Sequence, residues 1–157
     1  MFLGQFYHTL DDKYRLTIPS EFREELESVQ LYLLKGFDRN LMLMPAAAFE
    51  IVYQRVDRLS LTNQDYRQLK RMILSTTAKM TLDKAGRILV PEFLRKIAGL
   101  TSEVVVVGQG SMIEIWSAAL WEIQTLQMQD ADNADRFSLL DISPSAVELN
   151  PVRGLTD

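Results

Sequence analysis

Two short sequences in the chain set an acid and a guanidinium four residues apart: Asp11-Asp12-Lys13-Tyr14-Arg15 and Asp83-Lys84-Ala85-Gly86-Arg87. An arginine presents a planar fork that suits phosphate oxygens, or the O6 and N7 acceptors of guanine in a DNA major groove. Lys13 and Lys84 add point charges, better fitted to positioning on a phosphate backbone than to reading bases. Asp11 and Asp83 open the two motifs and admit two roles. One is a structural ion pair that stiffens a turn; the other is a carboxylate that pre-orients its arginine for DNA, and the two can hold together. Exposed pairs of this kind contribute little stability by themselves.

Other chemistries lack parts. The chain has no Cys and a single His, His8, too few soft ligands for a zinc site of the usual kind, so neither a metal nor a cofactor is expected. His8 lies on a strand-like run without an acid and hydroxyl arrangement and reads as a packed or surface residue. Gly108-Gln109-Gly110 reads as a hairpin turn, since no Gly-Lys-Ser/Thr follows it to cradle phosphate. Asp11 and Asp83 could be imagined as the acids of a hydrolase, but each is followed by basic residues and opens a turn, where capping is the ordinary role of Asp. No catalytic residue is assigned and no small-molecule substrate is implied.

The formal net charge of −4 runs against a phosphate-rich partner until its distribution is considered. Residues 117–157 hold seven acids and two arginines, a balance of −5, which leaves +1 on the remaining 116 residues. An acidic tail of this kind can lie away from DNA or filter non-specific binding. Residues 53–79 carry six basic and two acidic groups, a pattern read first as a solvated helix face. The opening residues lack a signal-peptide pattern and no run approaches the roughly 18 apolar residues of a membrane span, so a cytoplasmic location is expected.

The elements that must position the two motifs follow from a repeat. Leu10 to Arg23 lies over Leu82 to Arg95 at an offset of 72, with Leu, Asp, Arg, Pro and Arg recurring in place. At the same offset, read as gapless, Gly36 falls on Gly108, Leu41 on Ile113, Leu43 on Ile115, Met44 on Trp116 and Phe49 on Trp121. Each copy reads as ββαββ followed by a helix. In the second copy, 76–82 and 87–90 are strand-like runs around a turn and are expected to form a hairpin. Pro91 then opens a short helix that Gly99 stops, and 103–107 and 112–116 make a second hairpin. Trailing helices begin near Pro45 and Ser117, and Thr62 or Asn63 is expected to cap a connecting helix. Phe49, Trp116 and Trp121 are expected in the core. Units of this size bury little alone, so two copies are expected to pair about a pseudo-twofold axis.

The doubled motif, an N-terminus beginning Met-Phe-x-Gly, and the run Ala-Gly-Leu, a Val-rich strand, Val-Gly-Gln and Ile-Glu-Ile-Trp resemble the MraZ family, over roughly residues 1–125. The resemblance implies an α+β fold of duplicated AbrB-like swapped-hairpin units closing a barrel. It also implies a bacterial transcriptional regulator, associated with the nucleoid, that assembles into a ring homo-oligomer. Such a regulator binds tandem short boxes of double-stranded DNA at the promoter of the cell-division and cell-wall gene cluster. Carried onto this sequence, the DNA-binding residues are Arg15 and Arg87, with Lys13, Lys84, Asp11 and Asp83 beside them. The expected division is 5–51 and 76–124 for the repeats, 52–75 for a helical connector and 125–157 for the acidic tail. One departure stands out: Tyr14 occupies the place of Gly86. Tyr resists positive φ, so either the first loop is shaped differently or Tyr14 makes a contact of its own. Arg23 and Arg95, also in register, are expected at helix ends or subunit contacts, with DNA contact second. The competing non-enzymatic reading is an assembly protein that stacks through apolar faces bearing Phe49 and Trp121, without a direct DNA role.

Overall fold

The computed structural model describes residues 1–142, so the last part of the acidic segment expected at 125–157 lies outside the described residues. The chain forms two compact units, Met1–Trp121 and a second from Glu122 on. The first copy of the repeat contributes β1 (Gln5–Thr9), β2 (Arg15–Thr17), α1 (Ser20–Leu26), β3 (Leu31–Lys35), β4 (Leu41–Pro45) and α2 (Ala46–Asp57). The connector α3 (Gln64–Thr76) leads to β5 (Ala78–Met80), β6 (Arg87–Leu89), α4 (Glu92–Ala98), β7 (Glu103–Gly108), β8 (Ile113–Ser117) and α5 (Ala118–Met128), and α6 (Ala131–Ser138) follows. The class is therefore α+β. Local chemistry explains the boundaries. Pro19 and Pro91 precede α1 and α4, Gly99 ends α4 at φ 63°, and the Asn63 side chain accepts the Tyr66 amide at the start of α3. Thr76, expected in a strand, closes α3 instead, its hydroxyl donating to the Met72 carbonyl.

Strand pairing keeps the expected hairpin of β7 with β8 and departs from the other one. The six-stranded antiparallel sheet runs β1-β7-β8-β4-β3-β5, and β2 pairs with β6 as a separate two-stranded ribbon. The hairpin expected from 76–82 and 87–90 is thus absent: β5 pairs with β3 of the first copy, and β6 takes its ladder from β2. Reciprocally, β1 pairs with β7 of the second copy. The expected closed barrel is also absent, because β1 and β5 remain open edges of the sheet and the ribbon lies apart from it. Two of the pairings join residues at the repeat offset. Leu16 faces Ile88 across the ribbon and Met42 faces Glu114 across β4 and β8, each pair 72 residues apart.

The repeat is not gapless. Leu31 faces Pro45 in the first copy and Val104 faces Ser117 in the second. Because Pro45 and Ser117 are 72 apart, Leu31 corresponds to Val104, 73 residues on. One residue is gained before β7 and one lost in the turn after it, so Gly36 and Gly108 are not equivalent.

Both faces of the sheet are covered, which is why β7 reads as a continuous valine run with Val104, Val105, Val106 and Val107 all buried. On one face Leu33, Leu43, Val106 and Ile115 pack with Leu16 and Ile88 of the ribbon, Phe22 of α1 and Leu94 of α4. On the other, Met42 and Met44 meet Phe49 of α2 and Ile73 of α3, while Val105 and Trp116 meet Trp121. Phe49 and Trp121 are only 9% and 7% exposed and Trp116 is buried as well, so all three lie in the core as expected.

Candidate functional site

The ribbon decides where the two motifs sit. Strand side chains alternate, and Leu16 and Ile88 point into the core. Arg15, Thr17, Arg87 and Leu89 therefore share the outward face, with Arg15 opposite Leu89 and Thr17 opposite Arg87. The fold brings the two motif arginines, 72 positions apart in sequence, onto one small surface. Both approach the same carboxylate oxygen: Asp11 Oδ2 lies 2.7 Å from Arg15 Nε and 3.9 Å from Arg87 Nη1.

Each loop is wound around its own aspartate. In the first, Asp11 Oδ1 accepts the amides of Lys13 (2.9 Å) and Arg15 (2.8 Å), and Oδ2 accepts Arg15 Nε at 2.7 Å. In the second, Asp83 Oδ1 accepts the amides of Ala85 and Arg87, each at 2.9 Å, and Oδ2 accepts Arg87 Nε at 2.9 Å. Backbone bonds close both turns identically: Asp11 N donates to Arg15 O (3.1 Å) and Asp83 N to Arg87 O (2.9 Å). These donors, the arginine amide first, hold the Asp11 and Asp83 carboxyls below the ordinary carboxylate pKa against the opposing effect of desolvation. Of the two readings left open by the sequence, the structural one is seen here: each aspartate anchors its turn and holds Nε of its own arginine. Among the described residues, the Nη1 and Nη2 groups of Arg15 make no hydrogen bond, and Arg87 Nη1 lies 3.9 Å from Asp11 Oδ2.

Lys13 and Lys84 are both exposed but occupy different corners of their turns. Lys13 corresponds to Ala85, and Lys84 corresponds to Asp12. The first loop therefore carries an extra exposed acid where the second carries a base.

The substitution of Tyr14 for Gly86 leaves the loop shape unchanged. Tyr14 adopts φ 60° beside φ 76° for Gly86. A left-handed residue with a Cβ costs about 1–2 kcal/mol. The Tyr14 carbonyl accepts the Val90 amide at 3.1 Å, as the Gly86 carbonyl accepts the Ile18 amide at 2.9 Å. The contact specific to Tyr14 is its ring, which lies under Arg95 with the guanidinium carbon 3.4 Å from the ring centroid. A cation over an exposed ring contributes about 0.5–1 kcal/mol, which offsets part of the strain. The contact of its own that the sequence suggested for Tyr14 is thus present, and the altered loop is not.

Arg23 and Arg95 lie in the last turns of α1 and α4, the helix ends expected of them, and their side chains reach back along the helix. Arg23 Nε donates to the Ile18 carbonyl (2.8 Å) and Arg95 Nε to the Val90 carbonyl (3.2 Å), each just ahead of its helix. Each then faces the loop of the other copy: Arg95 against Tyr14, and Arg23 against Gly86, where a Cβ would fall 2.8 Å from Arg23 Nε. The motif pattern found these two in register but not their contact with the other copy's loop, and it missed Thr17 and Leu89. Alternation outward from each arginine would have found Thr17 and Leu89, and the crossing of Arg23 and Arg95 needed the strand exchange. His8 is half-buried on β1, its pKa lowered by desolvation and by the nearby positive charge of Arg23.

The family model described as "MraZ protein, putative antitoxin-like" matches the chain twice, over residues 1–72 and 73–140. The chain belongs to the MraZ family. The match divides it into the same two copies and carries the MraZ likeness past the 125 residues on which the motifs rested. Proteins named transcriptional regulator MraZ are similar over most of their length. The one from Roseiflexus castenholzii is 43% identical over 138 residues, covering 88% of this chain and 94% of its own. That from Herpetosiphon aurantiacus is 42% identical over 134 residues (85% and 92%), and that from Carboxydothermus hydrogenoformans 41% over 121 residues (77% and 84%). Among the described residues, no helix is long and apolar enough to cross a membrane.

Proposed function

We propose that the chain is a sequence-specific transcriptional regulator that binds double-stranded DNA through the outward face of the β2–β6 ribbon. The observation that carries this reading is the convergence of Arg15 and Arg87 on Asp11, at the outward face of a two-stranded ribbon. A two-stranded ribbon fits a major groove, and a guanidinium there pairs with guanine O6 and N7. Lys13 and Lys84 contact phosphate, Asp11 and Asp83 orient the arginines, and Thr17 and Leu89 lie within reach of base edges. The names of the relatives agree with a regulatory role.

One ribbon covers a short box and presents little positive charge, so affinity comes from repetition. A ring homo-oligomer sets several ribbons against tandem boxes, and each further contact is effectively intramolecular. The swapped exchange of strands between repeats 5–51 and 76–124, joined by the connector 52–75, supplies the pseudo-twofold ribbon, and the acidic tail 125–157 limits non-specific association. The site of action is the nucleoid of the cytoplasm, at the promoter of the cell-division and cell-wall gene cluster. Footprinting on the DNA upstream of the gene itself, followed by titration of arrays of three, two and one protected boxes at fixed salt, tests this. A steep fall in affinity with box number is expected; equal affinity for one and three boxes would sink the avidity mechanism.

A further inference from the structure

Tyr14 and Gly86 occupy equivalent places in loops of the same shape, yet only one of them can adopt the left-handed conformation without strain. The contacts around each form a closed circuit that passes between the copies. In the second loop, the Gly86 carbonyl accepts the Ile18 amide (2.9 Å), the Ile18 carbonyl accepts Arg23 Nε (2.8 Å), and Arg23 returns to lie against the glycine. In the first, the Tyr14 carbonyl accepts the Val90 amide (3.1 Å), the Val90 carbonyl accepts Arg95 Nε (3.2 Å), and the Arg95 guanidinium closes the circuit on the Tyr14 ring at 3.4 Å. The two circuits have the same bonds and differ in their last link: packing against a bare Cα in one, a cation over an aromatic face in the other.

From this we infer that Arg95 is a positioning residue for the first loop, holding Tyr14 left-handed from the opposite copy and thereby fixing Asp11 and the guanidinium of Arg15. Arg95 touches no DNA in this role; it acts through Tyr14. The inference rests on the DNA-binding reading for its consequence in affinity, but the clamp itself is a property of the free protein. The requirement is specific to the first loop, because Gly86 needs no ring to be held.

The test is a cycle of Arg95→Ala, Tyr14→Gly and the double variant in the full chain, with two readouts. Without DNA, hydrogen exchange of the Arg15 amide, which is bonded to Asp11, is compared with that of the Arg87 amide, which is bonded to Asp83. Arg95→Ala should speed exchange at Arg15 about five-fold and leave Arg87 alone, and adding Tyr14→Gly should restore protection at Arg15. With the DNA array, Arg95→Ala should weaken binding by a similar factor in the parent chain and have little effect when Tyr14 is already Gly. Arg95→Lys, which keeps the charge but not the planar stack or the Nε bond, should fall between. The same weakening in both backgrounds, or equal exchange changes at Arg15 and Arg87, overturns the clamp. A chain that binds no DNA at all defeats the proposed function, and the exchange measurement still decides the clamp.

Discussion

The two Asp-x-x-x-Arg loops reach one backbone geometry by different means. Both are wound on an aspartate that accepts two amides and one guanidinium, with every such bond between 2.7 and 2.9 Å. The second obtains its left-handed corner from the intrinsic freedom of Gly86, whereas the first imposes it on Tyr14 through contacts from the other copy. Their charges differ as well, since Asp12 sits where the second loop has Lys84. Duplication therefore preserves the position of the arginine while the means of holding it diverge. The second loop is locally determined, and the first depends on tertiary contacts.

The largest effect expected from this comparison is on DNA. Arg87→Ala and Arg15→Ala should each weaken binding to the protected boxes by about 1–3 kcal/mol for every bidentate arginine–guanine pairing removed, and should relax specificity at one position of the box. Lys84→Ala should weaken specific and unrelated DNA alike and lower the salt slope by about one. Titrations against matched and scrambled boxes at several salt concentrations separate these outcomes. Equal, sequence-independent losses for Arg87→Ala and Lys84→Ala would remove direct readout by Arg87 and leave the ribbon as a phosphate-binding surface.

A smaller effect, on folding stability, sharpens the contrast between the corners. Gly86→Ala meets two obstacles: φ 76° and a Cβ 2.8 Å from Arg23 Nε, an atom already bonded to the Ile18 carbonyl. It should cost about 1–2 kcal/mol from backbone strain, plus the displacement of Arg23. Tyr14→Gly should change stability by less than about 1 kcal/mol, because relief of strain is opposed by removal of the cation–π interaction and by greater unfolded-state entropy. Urea denaturation of both variants provides the comparison. A destabilisation by Tyr14→Gly as large as that by Gly86→Ala would mean that Tyr14 contributes packing well beyond its interaction with Arg95.

How much of this could be read from the sequence follows the range of the interactions. Proline, glycine and asparagine punctuation put the starts of α1, α3 and α4 within a residue or two of their places, because caps and left-handed corners are local chemistry, whereas α6 lies in the segment read only as an acidic tail. The motif loops were legible for the same reason. Partner choice was not: β5 and β6 flank a turn and look like a hairpin, yet each finds its ladder in the first copy, β6 with Ile88 buried opposite Leu16 and β5 along β3. The extra residue before β7 was also hidden, since a run of valines matches a neighbouring strand equally well one residue out of step. Tyr14 shows the same limit from the other side. Its propensity argues against φ 60°, and the interaction that overrides it comes from residue 95.

The subtlest difference between the loops should appear in acid. Asp11 and Asp83 both have pKa values lowered in the folded chain, chiefly by the amide of the arginine that each accepts. A carboxylate with a depressed folded pKa contributes stability that is fully present above its unfolded value and is lost as pH falls through the folded one. Asn at either position cannot supply that ionised form. The parent chain should therefore be more stable than Asp11→Asn or Asp83→Asn near neutrality, and the gap should close as pH falls below the ordinary carboxylate range. Asp11 also lies 3.9 Å from Arg87, so it faces a second guanidinium. The gap should accordingly be wider for Asp11→Asn than for Asp83→Asn, and more sensitive to salt. Thermal midpoints measured between about pH 2 and about pH 7, a span that brackets the carboxylate range, give the three curves. A gap that stays constant with pH would assign the aspartates a role in turn shape alone, and equal gaps for the two variants would mean that the approach of Arg87 to Asp11 carries no energy.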